Sequence, residues 1–197
     1  MTDIGNRCLQ KLGSQAITSI DQDVKRARSI KLAYPLVRDA EIRRRRWRFA
    51  VMRANIPAST LTPAFTWRYS FPLPTGCLRV LQVGLFWPGA DISDYRNDTV
   101  ADYVIEGTSV LTDMGAPLPI RYLGQVTDTT IFDSCFVEAL ASRLAYELCE
   151  TITQSDSKRQ LAMSDYNIAI KEAVTANALE KVTEFIADNS WITSRLS

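Results

Sequence analysis

FDSCFVEALASRLAYELCETI, residues 132–152, has the clearest helical periodicity in the chain. Its apolar side chains recur every three or four residues, as on one face of an α-helix. A polar Thr-Gln-Ser-Asp-Ser turn follows, and a second apolar stripe, rich in alanine, extends to Val182. We expect two antiparallel helices that pack closely, because alanines let neighbouring helices approach. The apolar residues of the first stripe are Phe132, Phe136, Ala139, Leu140, Leu144, Leu148 and Ile152.

Two more helices are predicted at the start of the chain. The first ends at Gly13, a residue typical of the helix C′ position. The second, capped by Asp21 or Asp23, is predicted to run to Trp47. Pro35 lies inside this second helix and removes a backbone donor, so a kink or a break is expected there. The apolar positions of the first helix are Ile4, Cys8, Leu9 and Leu12.

The middle third of the chain changes from helical to strand-like patterns. Residues 55–63 have no helical period and are interpreted as a connector. Proline-containing segments at residues 71–74 and 116–119 separate the predicted strands, since proline is confined to the edges and turns of sheets. The predicted strands are residues 65–69, residues 77–86, a hairpin from Tyr103 with its turn near Glu106-Gly107, and residues 120–123.

These elements predict a mainly α protein with a β insertion, an α+β fold. The helices are expected to form a bundle of about four, and the middle third a small antiparallel β unit. The predicted bundle is discontinuous, formed by residues 1–54 and 128–182. Residues 64–127 are the β-rich insertion, and residues 183–197 are a C-terminal tail.

The composition argues against several kinds of catalysis. Histidine is absent, which excludes Ser-His-Asp and Cys-His catalysis and imidazole metal ligands. The four cysteines form no Cys-x-x-Cys pair, and no phosphate-cradling glycine loop is present. Asp91, Asp94, Asp98 and Asp102 lack the register of a calcium loop. We therefore expect that the protein is not an enzyme and binds no cofactor or metal. A hydrolase that acts through two carboxylates needs neither histidine nor cysteine, and it is the enzyme class that this composition still permits.

The sequence also bears on location. No apolar run approaches the ~20 residues of a membrane helix. The first residues lack the basic and apolar layout of a signal peptide. We expect a protein made in the cytosol that has no membrane partner.

Charge is distributed unevenly along the chain. The formal net charge is +1, yet residues 1–54 carry 13 Lys and Arg against five Asp and Glu, and residues 55–197 carry 10 against 17. Such asymmetry suits a protein whose copies pack basic face against acidic face in a ring, or whose ends meet different partners. Glu138, Glu147 and Glu150, on the polar side of the long helix, are expected to face solvent or a neighbouring copy.

Five arginines are concentrated in residues 43–49, RRRRWRF. A run with interleaved aromatics is typical of a phosphate-binding patch, and also of the charged end of a helix at a protein interface. Successive helical residues turn by about 100°, so the side chains would point around the cylinder rather than along one phosphate strip. We favour the charged end of a helix, either solvated or paired across a subunit interface, and DNA contact is the alternative. The candidate residues are Arg43, Arg44, Arg45, Arg46 and Arg48.

The aromatic residues of this run also have two interpretations. Trp47 and Phe49 could stack on bases, as in single-strand binders. Two aromatics that follow an amphipathic helix more often cover a core. We therefore predict Trp47, Phe49, Phe136, Leu140 and Leu144 as core anchors.

Four segments carry a resemblance to a known family. They are IGNRCLQKLGSQAITSI at residues 4–20 with the RRWRFA sequence that follows, YSFPLPTGCLRV at 69–80, YVIEGTSVL at 103–111 and FVEALASRLAYEL at 136–148. Over nearly the whole chain they resemble the head-to-tail adaptor proteins of tailed phages, in particular the tail tubular protein A family of short-tailed phages.

The resemblance implies a structural virion protein with no cofactor and no catalysis. Such a protein forms a ring of twelve copies between the portal and the tail nozzle, with a channel through which the genome passes. Its partners would be copies of itself, the portal protein and the nozzle protein, with DNA near the channel wall. It would be located in the neck of the virion after assembly in the host cytoplasm. The alternative function is a DNA-binding or packaging accessory protein that acts through Arg43–Arg48.

Overall fold

The computed structural model describes residues 1–84 and 103–179. These residues form an α+β fold with four helices and two small three-stranded antiparallel sheets, as the sequence predicts. The Asp91–Asp102 segment, the end of the predicted last helix and the tail at residues 183–197 lie outside the described residues. The elements are α1 Thr2–Lys11, α2 Lys25–Arg44, β1 Val51–Ile56, β2 Tyr69–Pro72, β3 Cys77–Val83, β4 Tyr103–Glu106, β5 Ser109–Thr112, β6 Leu118–Gly124, α3 Ser134–Thr153 and α4 Asp156–Leu179.

The described chain divides into two compact units. The helical unit consists of residues 1–51 and 123–179 and contains all four helices. The β unit consists of the described residues between 52 and 122. The helical unit is therefore built from both ends of the described chain, and the β unit from the segment that lies between those ends in the sequence.

Helix α3 is the centre of the helical unit and packs against α1, α2 and α4. Its side chains Phe136, Leu140 and Leu144 are almost fully buried. Burying a side chain of this size contributes about 1.5–3 kcal/mol. The Asp133 carboxylate caps the helix by accepting from the backbone N–H groups of Cys135 and Phe136. Two residues separate α3 from α4, so the two helices run antiparallel, as predicted.

A Schellman motif follows helix α1, with Leu12 as the C-cap and Gly13 at the C′ position, which confirms the predicted C′ glycine. The Gly13 N–H donates to the Gln10 carbonyl at 3.0 Å, and the Ser14 N–H donates to the Leu9 carbonyl at 2.9 Å. Gly13 has a φ of 64°, a conformation that glycine adopts without a steric cost from Cβ. Lys158 Nζ of α4 donates to the carbonyl of Leu12, the C-cap residue, at 3.0 Å.

Helix α2 differs from the prediction in two places near its start and middle. It begins at Lys25, after Val24, so neither Asp21 nor Asp23 is its N-cap. It also continues through Pro35, so of the predicted kink or break at this residue the break is wrong. Pro35 is exposed, so the carbonyl that loses its helical donor can be solvated instead.

The end of α2 is a further correction, because the helix stops at Arg44 rather than at Trp47. Trp47 comes 11 residues after Leu36, so a continuous helix would point the two side chains within about 20° of each other. Leu36 is 75% exposed, whereas Trp47 is 1% exposed. Ending the helix at Arg44 thus allows the indole to turn into the core.

The β unit contains two sheets with strand orders β1-β6-β3 and β2-β5-β4. The predicted hairpin at Tyr103 is confirmed as β4 and β5, in which Glu106 pairs with Ser109. Gly107 in the turn has a φ of 57°, which favours glycine. The buried side chains of the unit form one cluster of Ile56, Phe71, Val83, Val110, Leu118, Ile120 and Tyr122.

Three strand predictions need correction. Strand β1 covers the end of the predicted helical segment 1–54 and the start of the predicted connector 55–63, because its exposed positions do not alternate regularly with buried ones. Residues 65–68 precede strand β2 rather than forming it. Pro119 lies inside β6, the central strand of its sheet, where its carbonyl accepts from the Gly84 N–H at 2.8 Å. A proline has no backbone N–H to donate to the neighbouring strand, but its carbonyl can still accept, so it is tolerated near the start of a strand.

Candidate functional site

The arginine run combines three backbone conformations. Arg43 and Arg44 belong to the last turn of α2, and Arg45 is extended, with φ −131° and ψ 158°. Arg48 begins a short 3-10 turn, Arg48–Ala50. The expectation that Arg43–Arg46 project around one helical cylinder therefore holds for the first two residues only.

Two of the guanidinium groups converge on one buried carboxylate, that of Glu41. Arg45 Nη1 lies 3.1 Å from Glu41 Oε2, and Arg44 Nη1 lies 3.4 Å from Glu41 Oε1. The Glu41 side chain is only 3% exposed. A carboxylate at this depth is stable in its charged form only with cationic and hydrogen-bonding partners. The two arginines provide the cationic partners from the same helix end.

Helices α3 and α4 complete this site with an arginine and a tyrosine. The Tyr166 hydroxyl donates to Glu41 Oε1 at 2.9 Å, and Arg44 Nη1 lies 3.3 Å from the Tyr166 oxygen. Arg143 Nε is 3.9 Å from Glu41 Oε1, and its guanidinium lies 5.4 Å from the centre of the Tyr166 ring. The hydrogen bond to Tyr166, followed by the charge of Glu41, raises the pKa of Arg44. We call Glu41, Arg44, Arg45, Arg143 and Tyr166 the Glu41 cluster.

The extended part of the run is attached to α4 through its backbone. Asn177 Nδ2 donates to the Arg46 carbonyl, and Asn177 Oδ1 accepts from the Arg48 N–H, each at 3.0 Å. One amide side chain thus satisfies the backbone on both sides of Trp47. These two hydrogen bonds hold the backbone of residues 46–48 against α4.

The aromatic residues of the run lie in the helical unit. Trp47 contacts Phe136 with ring centroids 4.7 Å apart, and Phe49 contacts Phe136 and Phe132 at 4.9 and 5.2 Å. The Trp47 indole N–H donates to the Glu41 carbonyl at 2.9 Å. Trp47 would have to leave the core to stack on a base. Of the predicted core anchors, Trp47, Phe136, Leu140 and Leu144 are buried, and Phe49 is half-buried.

The remaining arginines differ in exposure. Arg43 and Arg48 are exposed, and Arg46 is half-buried. The structure therefore brings Arg44 and Arg45 together on Glu41 and leaves Arg43 and Arg48 at the surface. The run is not a uniform strip of solvated cations.

Acidic residues of α3 pair with cations of the same chain. Arg7 binds both oxygens of Glu138, at 2.8 and 3.0 Å, and Lys11 Nζ lies 2.6 Å from Glu138 Oε1. The hydrogen bond from Arg7, reinforced by Lys11, lowers the pKa of Glu138 to about 2 against the effect of burial. Glu147 pairs with Arg143. Both carboxylates thus have partners in the same chain, and Glu147, which is 39% exposed, also faces solvent as expected.

Glu150 has an exposed partner of its own, Arg159 Nη1, at 3.6 Å. The Arg159 guanidinium also lies 5.4 Å from the centre of the Tyr146 ring. Both charged side chains remain largely accessible to water. This contact links the end of α3 to the start of α4.

The β unit has its own apolar surface before strand β2. Leu61 and Phe65 are 78% and 82% exposed. With Trp67 and Leu111 they line a cavity of about 380 Å³. A second cavity of about 470 Å³ lies at sheet β1-β6-β3 and is lined by both polar residues, such as Arg53 and Arg121, and apolar residues, such as Pro119 and Ile120. The first of these surfaces combines two exposed large apolar side chains, Leu61 and Phe65, with polar neighbours such as Ser70 and Glu106.

The described residues show little sign of metal or thiol chemistry. Within residues 1–84 and 103–179, no group of three or more Cys, Asp and Glu side chains could hold a metal ion. All four cysteines are free, and burial, with a smaller effect from Cys149, raises the pKa of the Cys8 thiol to about 12. A thiol with such a pKa is a poor nucleophile near neutral pH.

None of the helices in the described part of the chain is long and apolar enough to span a membrane.

Sequence reasoning missed Glu41, Arg143, Tyr166 and Asn177. Glu41 precedes Arg44 and Arg45 by three and four residues, a spacing that signals helical ion pairs and could have identified it. Tyr166 and Asn177 lie 125 and 131 residues from their partners, Glu41 and Arg46. No local pattern reports contacts over such a separation.

Comparison with known proteins gave no assignment: no protein-family model matches the chain, and no curated protein is significantly similar to it in sequence.

Proposed function

We propose that this protein is a structural adaptor of a phage virion, which forms a ring between the portal and the tail nozzle and leaves a channel for the genome. The observation that carries the proposal is the set of contacts that the arginine run makes within the helical unit. Arg44 and Arg45 are held by Glu41, and the backbone around Trp47 is held by Asn177. The run thus consolidates a helical unit rather than forming an open phosphate patch.

Exposed apolar side chains support an assembly role. Leu32 and Leu36 on α2 are each 75% exposed. Leu61 and Phe65 in the β unit are 78% and 82% exposed. Clusters of large exposed apolar residues usually mark protein interaction sites. Both units therefore have a surface suited to a protein partner, as an adaptor between two assemblies requires.

The order of the elements agrees with the family resemblance. The resemblance implies a helical bundle with a β insertion, and the chain has helices from both ends and a β unit between them. In this proposal, the helices contact the portal and sibling copies. The β unit and its exposed Leu61 and Phe65 contact the nozzle.

Native mass spectrometry of the full chain, alone and with the portal protein of the same phage, tests the proposal. We expect a ring with the symmetry of the portal, of twelve copies. A chain that stays monomeric with the portal present would refute it. A variant with Leu61→Ser and Phe65→Ser should keep the ring and lose binding of the nozzle protein, whereas the matched control Ile131→Ser, at another exposed apolar position, should keep both.

DNA binding is the second candidate function, because Arg43 and Arg48 are exposed. On duplex DNA, each neutralised phosphate contributes about −0.9 to the slope of log affinity against log salt. If these two side chains bind phosphates, replacing both by Gln should make the slope of log affinity against log salt less negative by about 2. Lys25→Gln with Arg28→Gln is the matched control on α2. A wild-type chain that fails to retain duplex DNA at low salt would exclude this function.

A further inference from the structure

The sheet β2-β5-β4 has one face in the core of the β unit and one face that borders a cavity. Residues paired across antiparallel strands lie on the same face, and successive residues of a strand alternate between faces. Phe71 pairs with Val110, and both are fully buried on the core face. The neighbouring pairs therefore lie on the other face. They provide the floor of the 380 Å³ cavity, which consists of Ser70, Glu106, Ser109 and Leu111.

The wall of this cavity is formed by residues 61–67, which precede β2. Hydrogen bonds attach the chain to the sheet on both sides of the wall. The Ser59 N–H donates to the Ser70 carbonyl at 2.7 Å, and the Arg68 N–H donates to Asp113 Oδ1 at 2.9 Å. The wall is thus fixed to the same sheet that provides the floor.

A strained turn within the wall holds two aromatic side chains at the cavity. Thr66 has a φ of 70°, which is rare for a β-branched residue. The Trp67 N–H donates to the Phe65 carbonyl at 2.8 Å, the hydrogen bond of a γ-turn centred on Thr66. Such a backbone conformation persists only where the surrounding structure imposes it. Phe65 is 82% exposed and Trp67 is half-buried, and both line the cavity.

The lining combines apolar, aromatic and acidic groups. Glu106 provides a carboxylate, and the hydroxyls of Ser70 and Ser109 are further hydrogen-bond acceptors. No Lys or Arg belongs to the lining, and Glu106 forms no ion pair with the described residues of the chain. The cavity is therefore suited to a group that is apolar along its length and cationic at its end.

An arginine side chain has this combination of properties. Its aliphatic stem packs along apolar surface while the charged end stays close to water. Its planar guanidinium stacks on aromatic rings and pairs with carboxylates. A phosphate or a carboxylate would meet only acceptors and the like charge of Glu106. A purely apolar side chain would place no cation beside that carboxylate.

We propose that this cavity binds an arginine side chain of a protein partner. The stem of the arginine packs on Leu61 and Leu111, and the guanidinium contacts the aromatic rings and Glu106. In the proposed function this partner is the nozzle protein. The identity of the partner rests on that function, whereas the binding of arginine by the cavity does not.

The experiment titrates the full chain, labelled with ¹⁵N, with the peptide acetyl-Gly-Arg-Gly-amide and follows the backbone amide resonances. A single side chain gives weak binding, which this measurement detects. We expect the largest shifts at the amides of Ser70, Ser109 and Leu111. The same peptide with citrulline in place of arginine has nearly the same shape and no charge. It should bind about tenfold more weakly, because it loses both the ion pair and the cation–π contact.

The variant Phe65→Leu with Glu106→Gln tests the two groups that recognise the cation. It should weaken binding of the arginine peptide about tenfold and abolish the preference over citrulline. The matched control is Tyr103→Leu with Glu172→Gln. It removes an aromatic side chain from the core face of the same sheet and an exposed carboxylate from α4. The control should bind as the wild type does, and circular dichroism verifies that both variants are folded.

Three results would overturn the inference. The wild type shows no shifts with the arginine peptide, so the cavity does not bind this side chain. The citrulline peptide binds as tightly as the arginine peptide, so the cavity does not select a cation. The Phe65 and Glu106 variant binds as the wild type does, so arginine binds elsewhere. None of these results bears on the ring, which native mass spectrometry tests separately.

Discussion

Replacing Glu41 by Gln should destabilise the helical unit, although the two side chains have nearly the same shape. Glutamine can still accept the hydrogen bond from Tyr166. It cannot form the charge-assisted contacts that Arg45 and Arg44 make at 3.1 and 3.4 Å. Arg143, at 3.9 Å, also loses its carboxylate neighbour. Three guanidinium groups would then lie close together around a neutral amide.

The magnitude follows from burial. Removing one partner of a fully buried ion pair typically costs about 3–5 kcal/mol. Here the carboxylate is 3% exposed, but the guanidiniums of Arg44, Arg45 and Arg143 are 54%, 30% and 22% exposed. Water can therefore solvate the arginines in part after the replacement. We expect a loss of about 2 kcal/mol in the free energy of unfolding.

Urea unfolding followed by helical circular dichroism measures this loss. Glu147→Gln is the matched control, since Glu147 pairs with the same Arg143 but its side chain is 39% exposed. The control should lose about 0.2–1 kcal/mol, as exposed pairs do. Tyr166→Phe, alone and combined with Glu41→Gln, isolates the contribution of the hydroxyl by a double-mutant cycle. A Glu41→Gln variant no less stable than Glu147→Gln would refute the reasoning that the Glu41 cluster consolidates this unit.

Three further predictions concern single positions. Glu138→Gln should cost about 1 kcal/mol at neutral pH, where water screens the exposed pair. The pKa of Glu138 falls from 4.5 to about 2 on folding, so its contribution to the free energy of unfolding is complete above about pH 4.5 and is lost towards pH 2. The unfolding free energies of the wild type and the variant should therefore converge near pH 2. Gly13→Ala should cost about 1 kcal/mol because of the positive φ, whereas Gly115→Ala, with open space around its Cβ, should be nearly neutral in the same urea titration. Pro35→Ala should raise the thermal midpoint, with a gain of about 2 kcal/mol, because it restores a hydrogen bond within α2; an unchanged or lower midpoint would contradict this account of the exposed proline.

Local patterns were sufficient for much of the fold. The periodicity of Phe136, Leu140 and Leu144 predicts α3, because helical contacts repeat every three or four residues. Gly13 predicts the end of α1, because only its own backbone conformation is involved. The Glu106-Gly107 turn likewise predicts the hairpin of β4 and β5. Each of these signals depends on residues that are close in sequence.

The conformation of the arginine run is a feature that local sequence patterns do not predict. Its sequence predicts a helix to Trp47, but the burial of that side chain against Phe136 is more favourable than two or three further helical residues. The Glu41 cluster depends on Tyr166 and Arg143, which are distant in sequence and come together only when α3 and α4 pack. Composition likewise gave a basic N-terminal quarter, without showing that part of its charge is paired inside the same chain.

By itself, the sequence determined the helices, the hairpin, the α+β class and the uneven charge of this protein, because each follows from neighbouring residues or from simple counts. The tertiary structure decided where α2 ends, which arginines pair with the buried Glu41 and which side chains of α2 and α4 remain exposed. The physical reason is that a side chain is buried or exposed only relative to distant parts of the chain. The arginine run owes its conformation to Asn177, 131 residues away from Arg46.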